Sequence, residues 1–293
     1  MKKILVTGAM GQLGRALNKL LKNNNDYMIY NTDTKKIRDA SLGNVYSLDI
    51  TNYETANEII KDFNPDVIIN CAAHTAVDLC ETDKDNAYKI NVEGPKNLAI
   101  ISEKLNAKMV QISTDYIFDG SAAIPYTEEI KGNPQSVYAK TKYEAEKVVM
   151  QYCTRSYIIR TGWMYGEGNN FIKTMLKLSE EKKEISVVED QIGTPTSAKE
   201  VARLIIFLIE TDKYGIFHGT CEGSTSWYQY AVEIFKLANK DIIVRPIKSS
   251  DYHSAAKRPT FSVLENKRLK NETEFRFSNW YDELKVFMKS MNI

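Results

Sequence analysis

Lys3-Ile4-Leu5-Val6-Thr7-Gly8-Ala9-Met10-Gly11-Gln12-Leu13-Gly14 is the stretch that decides the fold. A short apolar, β-rich run leads directly into three glycines spaced G-x-x-G-x-x-G and then into helical spacing over 13–21, the strand, loop and helix context that gives such glycines meaning. Gly8 permits the tight turn, Gly11 a close approach of backbone to a pyrophosphate, and Gly14 tight packing of helix on strand. Met10, Gln12 and Leu13 complete the loop. Phosphates would sit on the helix N-terminus, among free N–H groups and in the favourable field of the helix dipole. About twenty residues on, near the end of the β-rich run Met28-Ile29-Tyr30, Asp33 stands where a carboxylate accepts bonds from adenosine ribose hydroxyls. It would repel a 2′-phosphate, yet Lys35 and Lys36 follow closely, so NADH and NADPH both stay open.

Working outward, Val67-Ile68-Ile69, Met109-Val110-Gln111-Ile112, Tyr157-Ile158-Ile159 and Ile185-Ser186-Val187-Val188 read as buried strands. Between them, helical spacing recurs over 53–63, 87–105 and 137–150. The alternation implies right-handed crossovers and an α/β fold, a doubly wound parallel sheet of Rossmann type covered on both faces. After Tyr165 the rhythm loosens into helical stretches over 171–182, 199–210 and 227–238. We read 1–165 as a dinucleotide-binding domain and 166–293 as a smaller mixed α/β substrate-binding lobe. No Gly/Ser linker divides them, so the boundary is soft and segments can cross it.

A chain of 293 residues can bury a substantial core, and 39 basic against 38 acidic side chains offer no global field to collect nucleic acid or anionic membrane. Cys71, Cys80, Cys153 and Cys221 are widely spaced and form neither a disulfide framework nor a zinc pattern. A reducing cytoplasm is the expected home. The N-terminal apolar run is too short for a secretory leader, and the longest apolar stretch, 204–209, is far too short to span a bilayer.

Two more positions extend the dinucleotide site. Asp49-Ile50 follows a short strand and can place a carboxylate against adenine, although Asp49 beside Thr51 equally suits a helix N-terminus. Cys71-Ala72-Ala73 ends the next strand with small side chains that let a ribose approach.

Tyr138 and Lys142 supply the chemistry. Four residues apart at the start of a helix, they share one face, where an ammonium would favour the ionised phenol and draw its pKa toward working pH. Spacing alone cannot select them, because Tyr143 with Lys147 and Tyr281 with Lys285 match equally well.

Context selects Tyr138. The glycine loop, Asn70-Cys71-Ala72-Ala73, Ser113-Thr114-Asp115 and Tyr138-x-x-x-Lys142 occur in one order, each near a strand end, and the set resembles the extended short-chain dehydrogenase/reductase family. Later blocks narrow the likeness toward its reductases of 4-keto sugar nucleotides: Ala72-Ala73-His74-Thr75-Ala76-Val77-Asp78, Arg160-Thr161-Gly162-Trp163-Met164-Tyr165-Gly166, Gly168-Asn169-Asn170-Phe171, Asp190-Gln191-Ile192-Gly193-Thr194-Pro195-Thr196 and Arg258-Pro259. Gly162 departs from the reductase pattern, which has serine there.

The resemblance implies NADPH- or NADH-dependent reduction of a dTDP-sugar, dTDP-4-dehydro-L-rhamnose, to dTDP-L-rhamnose for cell-surface polysaccharide. In it Thr114 would bond the substrate carbonyl, Tyr138 would donate the proton, and Lys142 would serve both the tyrosine and the nicotinamide ribose. His74, Thr75, Val77, Asp78, Thr114, Asp115 and Trp163 would border the sugar, with Asn170, Gln191 and Arg258 reaching toward nucleotide or diphosphate. A homodimer and a divalent cation such as Mg2+ are compatible with it, although the sequence offers the cation no ligand set. A dehydratase of this superfamily keeps a second carboxylate after Thr-Asp, where Tyr116 stands. A 4-epimerase, a related keto-sugar reductase or a non-catalytic dinucleotide-binding regulator are the remaining alternatives.

Overall fold

A computed structural model describes residues 1–22, 24–291 and 293. Seven strands come first in the chain: β1 (Lys2–Thr7), β2 (Tyr27–Asp33), β3 (Ile37–Asp39), β4 (Gly43–Ser47), β5 (Val67–Asn70), β6 (Lys108–Thr114) and β7 (Ser156–Thr161). With Gly215–His218 they form an eight-stranded sheet in the order Gly215–His218, β7, β6, β5, β1, β2, β4, β3. All neighbours run parallel except the β3–β4 edge pair. Every residue of β5 and of β7 is buried, as strands covered on both faces require, which is why Val67-Ile68-Ile69 and Tyr157-Ile158-Ile159 read as unbroken apolar runs.

One face of the sheet packs on the helices Gln12–Leu21 and Ala198–Ile209, burying Leu13, Leu17, Val201 and Leu208 with Ile4 and Val6. The other carries Tyr53–Phe63, Gly94–Lys104 and Val137–Tyr152 against Leu5, Ile68 and Ile158. Asn52 starts Tyr53–Phe63 by accepting from Thr55 N at 3.0 Å, and Asn64 ends it in the left-handed region at φ +51°. Such an N-cap contributes about 1 kcal/mol.

The chain leaves β1 toward β2 on one side and returns at β5 on the other, so strand order reverses at β1. Ligands of open α/β sheets bind outside the carboxyl ends of the strands at such a reversal. A polar rung lies just beneath: Thr7 Oγ1 donates to Asn70 Oδ1 at 2.6 Å, and Asn70 Nδ2 to Gln111 Oε1 at 2.7 Å.

Two expectations change, and one strand is added to those the sequence suggests. The helix expected over 87–105 is a helix Lys84–Tyr88, a π-turn Lys89–Glu93 and a helix Gly94–Lys104. Inside the π-turn, Asn91 accepts from His74 N at 2.8 Å and donates to His74 O and Thr141 Oγ1 at 3.1 Å each. The bulge thus goes with tertiary bonds that local spacing does not encode. The strand at Glu184–Val188 lies outside the main sheet and pairs in parallel with Ile243–Ile247. Gly215–His218 instead joins the main sheet beside β7.

A separate cluster holds Tyr165, Ile172, Tyr230, Phe235, Leu284 and Met288 together beyond the sheet. Among the described residues, no helix is long and apolar enough to cross a membrane.

Candidate active site

A cleft of about 1070 Å³ opens along the carboxyl ends of the strands, at the upper end of small-molecule sites. Gly8, Met10, Gly11, Gln12, Leu13, Asp33, Asp49 and Ile50 line one end, Cys71, Ala72 and Ala73 the middle, and Thr75, Val77, Thr114, Asp115, Tyr138, Lys142 and Trp163 the other.

At the first end the glycines act by what they omit. Gly8 has φ +61°, and a Cβ there would stand 2.7 Å from Ala72 N. Gly14 lies behind the cleft lining, where a Cβ would meet Ala9 Cα at 2.6 Å, so it brings the first helix down onto the loop. Asp33 is aimed by the loop itself: Oδ2 accepts from Met10 N at 3.1 Å and Oδ1 from Thr34 N at 2.8 Å. Further lone pairs remain on that carboxylate for a diol. Asp49 Oδ1 accepts from Thr51 N and Oγ1 at 2.9 and 2.7 Å while still lining the cleft. The bare Gly8–Gly11 backbone at a helix start and the fixed carboxylate fit a dinucleotide.

At the other end, Ser136 Oγ accepts from Ala139 N at 3.2 Å and so starts the helix Val137–Tyr152. Tyr138 therefore falls in the first turn and Lys142 one turn deeper, 3% exposed. Tyr116 meets Tyr138 edge-on at 6.5 Å between ring centroids. The decoy pairs differ. Lys147 lies 4.7 Å over the Tyr143 ring and pairs with Glu144, and Lys285 lies 5.0 Å over Tyr281 and pairs with Asp282. Both are solvated helix-face contacts.

The electrostatics depart from the expected lysine-lowered tyrosine. Burial pushes the Tyr138 phenol well up, against a smaller downward pull from the Thr114 hydroxyl, and Asp115 and Cys80 add to the rise. Burial also lowers Lys142 to about 8, with Glu146 and Cys71 opposing. Desolvation leads both shifts, because a low-dielectric wall penalises each ion. A neutral phenol remains a competent acid toward an alkoxide, which is the stronger base. Tyr116 is likewise pushed up by burial and then by Asp115, so no second carboxylate or phenolate base stands there.

Asp115 occupies a slot that Gly162 leaves open: a Cβ on Gly162 would lie 2.6 Å from both Cγ and Oδ2 of the carboxyl. Oδ1 accepts from Thr114 Oγ1 at 3.1 Å. Oδ2 has no bonded partner among the described residues, with the Ser262 hydroxyl nearby but outside good bonding geometry. Burial, opposed by Ser262 and Thr114, pushes the carboxyl from 3.8 up to about 7. Its folded pKa is raised, so its contribution to stability is complete below the unfolded value and is lost as pH rises through about 7. Asp115→Asn should therefore stabilise the protein by roughly 3 kcal/mol more at about pH 8 than at about pH 4. Urea melts at the two pH values would reveal it, and an equal effect at both would contradict a neutral buried carboxyl.

Five residues expected at the substrate stand outside the cleft lining. His74 packs between Cys80, with Nδ1 3.3 Å from Sγ, and Asp83, with Nε2 3.5 Å from Oδ2. Asp78 and Arg258 take each other in a two-toothed pair at 2.7 and 3.1 Å, and Ser254 and Ala256 N also donate to Asp78. Asn170 caps Phe171–Glu181, accepting from Lys173 N, and donates to Gln12 Oε1 at 3.1 Å. Gln191 is buried and donates to Ser249 Oγ at 3.0 Å. Each polar group has found a protein partner.

Trp163 does line the cleft, in the left-handed region at φ +46°, with its ring stacked on Trp227 at 3.5 Å and 6°. Positive φ at so bulky a residue is uncommon. Gly193 makes it possible, since a Cβ there would strike the Trp163 indole at 2.4 Å. Sequence reading did not find Trp227, Lys89, Asn86 or Met164 in the lining. No local signal marks Trp227, which simply follows the capping Ser226 of its helix. Among the described residues, no group of three or more His, Cys, Asp and Glu converges as a metal site.

The model of the RmlD substrate binding domain matches residues 1–293. The dTDP-4-dehydrorhamnose reductase of Aggregatibacter actinomycetemcomitans is 39% identical over 97% of this chain and 98% of its own. Among solved structures, the dTDP-4-dehydrorhamnose reductase of Clostridium acetobutylicum superposes with a TM-score of 0.94 at 46% identity, covering 99% of this chain and all of that one. The Bacillus anthracis dTDP-4-dehydrorhamnose reductase in complex with NADP gives 0.93 at 38% identity, over 99% of this chain and 100% of that one.

Proposed function

This chain belongs to the RmlD substrate binding domain family, and from that premise we propose that it is an oxidoreductase reducing dTDP-4-dehydro-L-rhamnose to dTDP-L-rhamnose with NADPH or NADH. The observation that carries the reading is the meeting of Thr114, Tyr138 and Lys142 with the glycine loop and Asp33 on one cleft. The like-named relatives and the NADP-bound neighbour support it. The product would enter rhamnose-containing cell-surface polysaccharide.

The cofactor supplies the hydride. Thr114 bonds the substrate carbonyl and Tyr138, held protonated by burial, delivers the proton as the alkoxide forms. Lys142, cationic below about 8, holds the nicotinamide ribose and faces the developing charge. Trp163, backed by Trp227, offers the sugar a flat wall, and Asp115 stands beside it. On this reading residues 1–165 hold the cofactor and 166–293 close the sugar side. We place the reaction in the cytoplasm, where the four free cysteines stay reduced.

Purified protein should consume NADPH or NADH absorbance when given dTDP-4-dehydro-L-rhamnose. Initial rates with each cofactor across a panel of keto-sugar nucleotides would rank both partners. No turnover beside a working control reductase would overturn the assignment.

A further inference from the structure

The helix Val137–Tyr152 carries Tyr138, Lys142 and Glu146 at four-residue intervals, so the three share one face. Glu146 is therefore the carboxylate next to Lys142, and its charge acts on that lysine. Nothing in the established chemistry uses it. Lys142 makes no side-chain hydrogen bond to the described residues, although both side chains are almost fully buried, at 3% and 1% exposure. A lysine and a glutamate so placed would ordinarily pair.

Arg160, on β7, takes the carboxylate instead. Its Nε lies 3.0 Å from Glu146 Oε1 and its Nη2 2.7 Å from Oε2, while the Ser113 hydroxyl also donates to Oε1. The fork is itself fixed. Arg160 Nη1 lies 3.4 Å from His218 Nε2, and His218 Nδ1 lies 3.0 Å from the Glu265 carbonyl oxygen. A carbonyl only accepts, so Nδ1 holds the proton and Nε2 is free to accept from Arg160. Burial and then the Arg160 charge push His218 down to about 3, which keeps this ring neutral.

Building on the role given to Lys142 above, we propose that Arg160 is a positioning residue for the reaction: by occupying both oxygens of Glu146 it denies them to Lys142 and leaves the ammonium to the cleft. The charge environment of Lys142 is small. Its own helix contributes Tyr138 and Glu146, β5 leads to Cys71, the turn after β6 brings Asp115 and Tyr116, and the π-turn brings Lys89 to the same cleft. Of these, Glu146 and Cys71 act on its charge, and Cys71 is a neutral thiol pushed up to about 12.

The test is the alkaline limb of kcat/KM against pH, where activity falls as Lys142 loses its proton. Arg160→Met frees the Glu146 charge, so the limb should move up by about one unit while kcat at neutral pH falls and KM for NADPH rises. Glu146→Gln should move it down. The double exchange Arg160→Met with Glu146→Gln leaves no buried charge unpaired, is the variant expected to fold best, and should lie between wild type and Glu146→Gln. Arg160→Lys should restore much of the wild-type limb.

The order Arg160→Met, wild type, double exchange, Glu146→Gln, from highest limb to lowest, supports the inference. Equal losses with an unmoved limb would mean that the pair merely holds helix to sheet, and would overturn it. Kd for NADPH against pH, read by protein fluorescence, should give the same order without turnover. Absence of turnover with that order intact would therefore strike the substrate reading alone, whereas an unmoved Kd profile would strike the Arg160 inference.

Discussion

Tyr138→Phe lowers kcat by about a thousandfold, within the range a positioned general acid supplies, and leaves Kd for NADPH within about threefold of wild type because the ring stays. The argument rests on what phenylalanine removes. Burial keeps the Tyr138 phenol protonated, Thr114 stands beside it, and Tyr116, the neighbouring phenol, meets Tyr138 through its ring edge. With the hydroxyl gone, the forming alkoxide has to find its proton elsewhere in a walled cleft. Tyr143→Phe should retain nearly the wild-type rate, since its partner Lys147 lies over the ring at an exposed helix face. Rates for both variants, with cofactor binding followed by fluorescence quenching, check the pair. Full activity in Tyr138→Phe would remove it as the acid.

Gly8→Ala should weaken NADPH binding by a hundredfold or more, roughly 3 kcal/mol, and lower the melting temperature as well. Two costs coincide there. The residue has φ +61°, and its added Cβ would stand 2.7 Å from Ala72 N and 2.8 Å from Cys71 C, both backbone atoms with no rotamer to yield. Gly43→Ala separates the costs. Gly43 has φ +75°, but a Cβ there would meet no atom of the described residues within 4 Å, so Gly43→Ala should lose only about 1 kcal/mol of stability and keep its affinity. Isothermal titration and thermal melts on the two variants give both quantities. Wild-type affinity in Gly8→Ala would mean that the loop does not cradle the cofactor.

The legibility of this chain follows the range of the interactions involved. Helix Tyr53–Phe63 was readable end to end because its pattern and its caps Asn52 and Asn64 are local. The glycine loop was readable because each glycine serves a neighbour already implied by a strand–helix turn. Asp78 and Arg258, expected at the substrate, are 180 residues apart and pair with one another. Their pairing is a tertiary fact that neither motif contains. Trp227 is hidden for the same reason: its stack on Trp163 joins two regions that nothing in the sequence brings together. The sign of the Tyr138 shift failed differently, since helix spacing identifies the neighbour but says nothing of how much water the fold removes.

The strand Gly215–His218 completes the main sheet by lying beside β7, whose six residues are all buried. During synthesis, the ribosome delivers the whole glycine loop and Tyr138 long before that last strand emerges. Until it does, β7 is an open edge with one row of backbone groups unpaired, the template on which nascent chains associate wrongly. A gene cut after residue 165 would freeze the chain in that state. Residues 1–165 and 166–293 therefore share one sheet, and a cut between them takes a strand out of it.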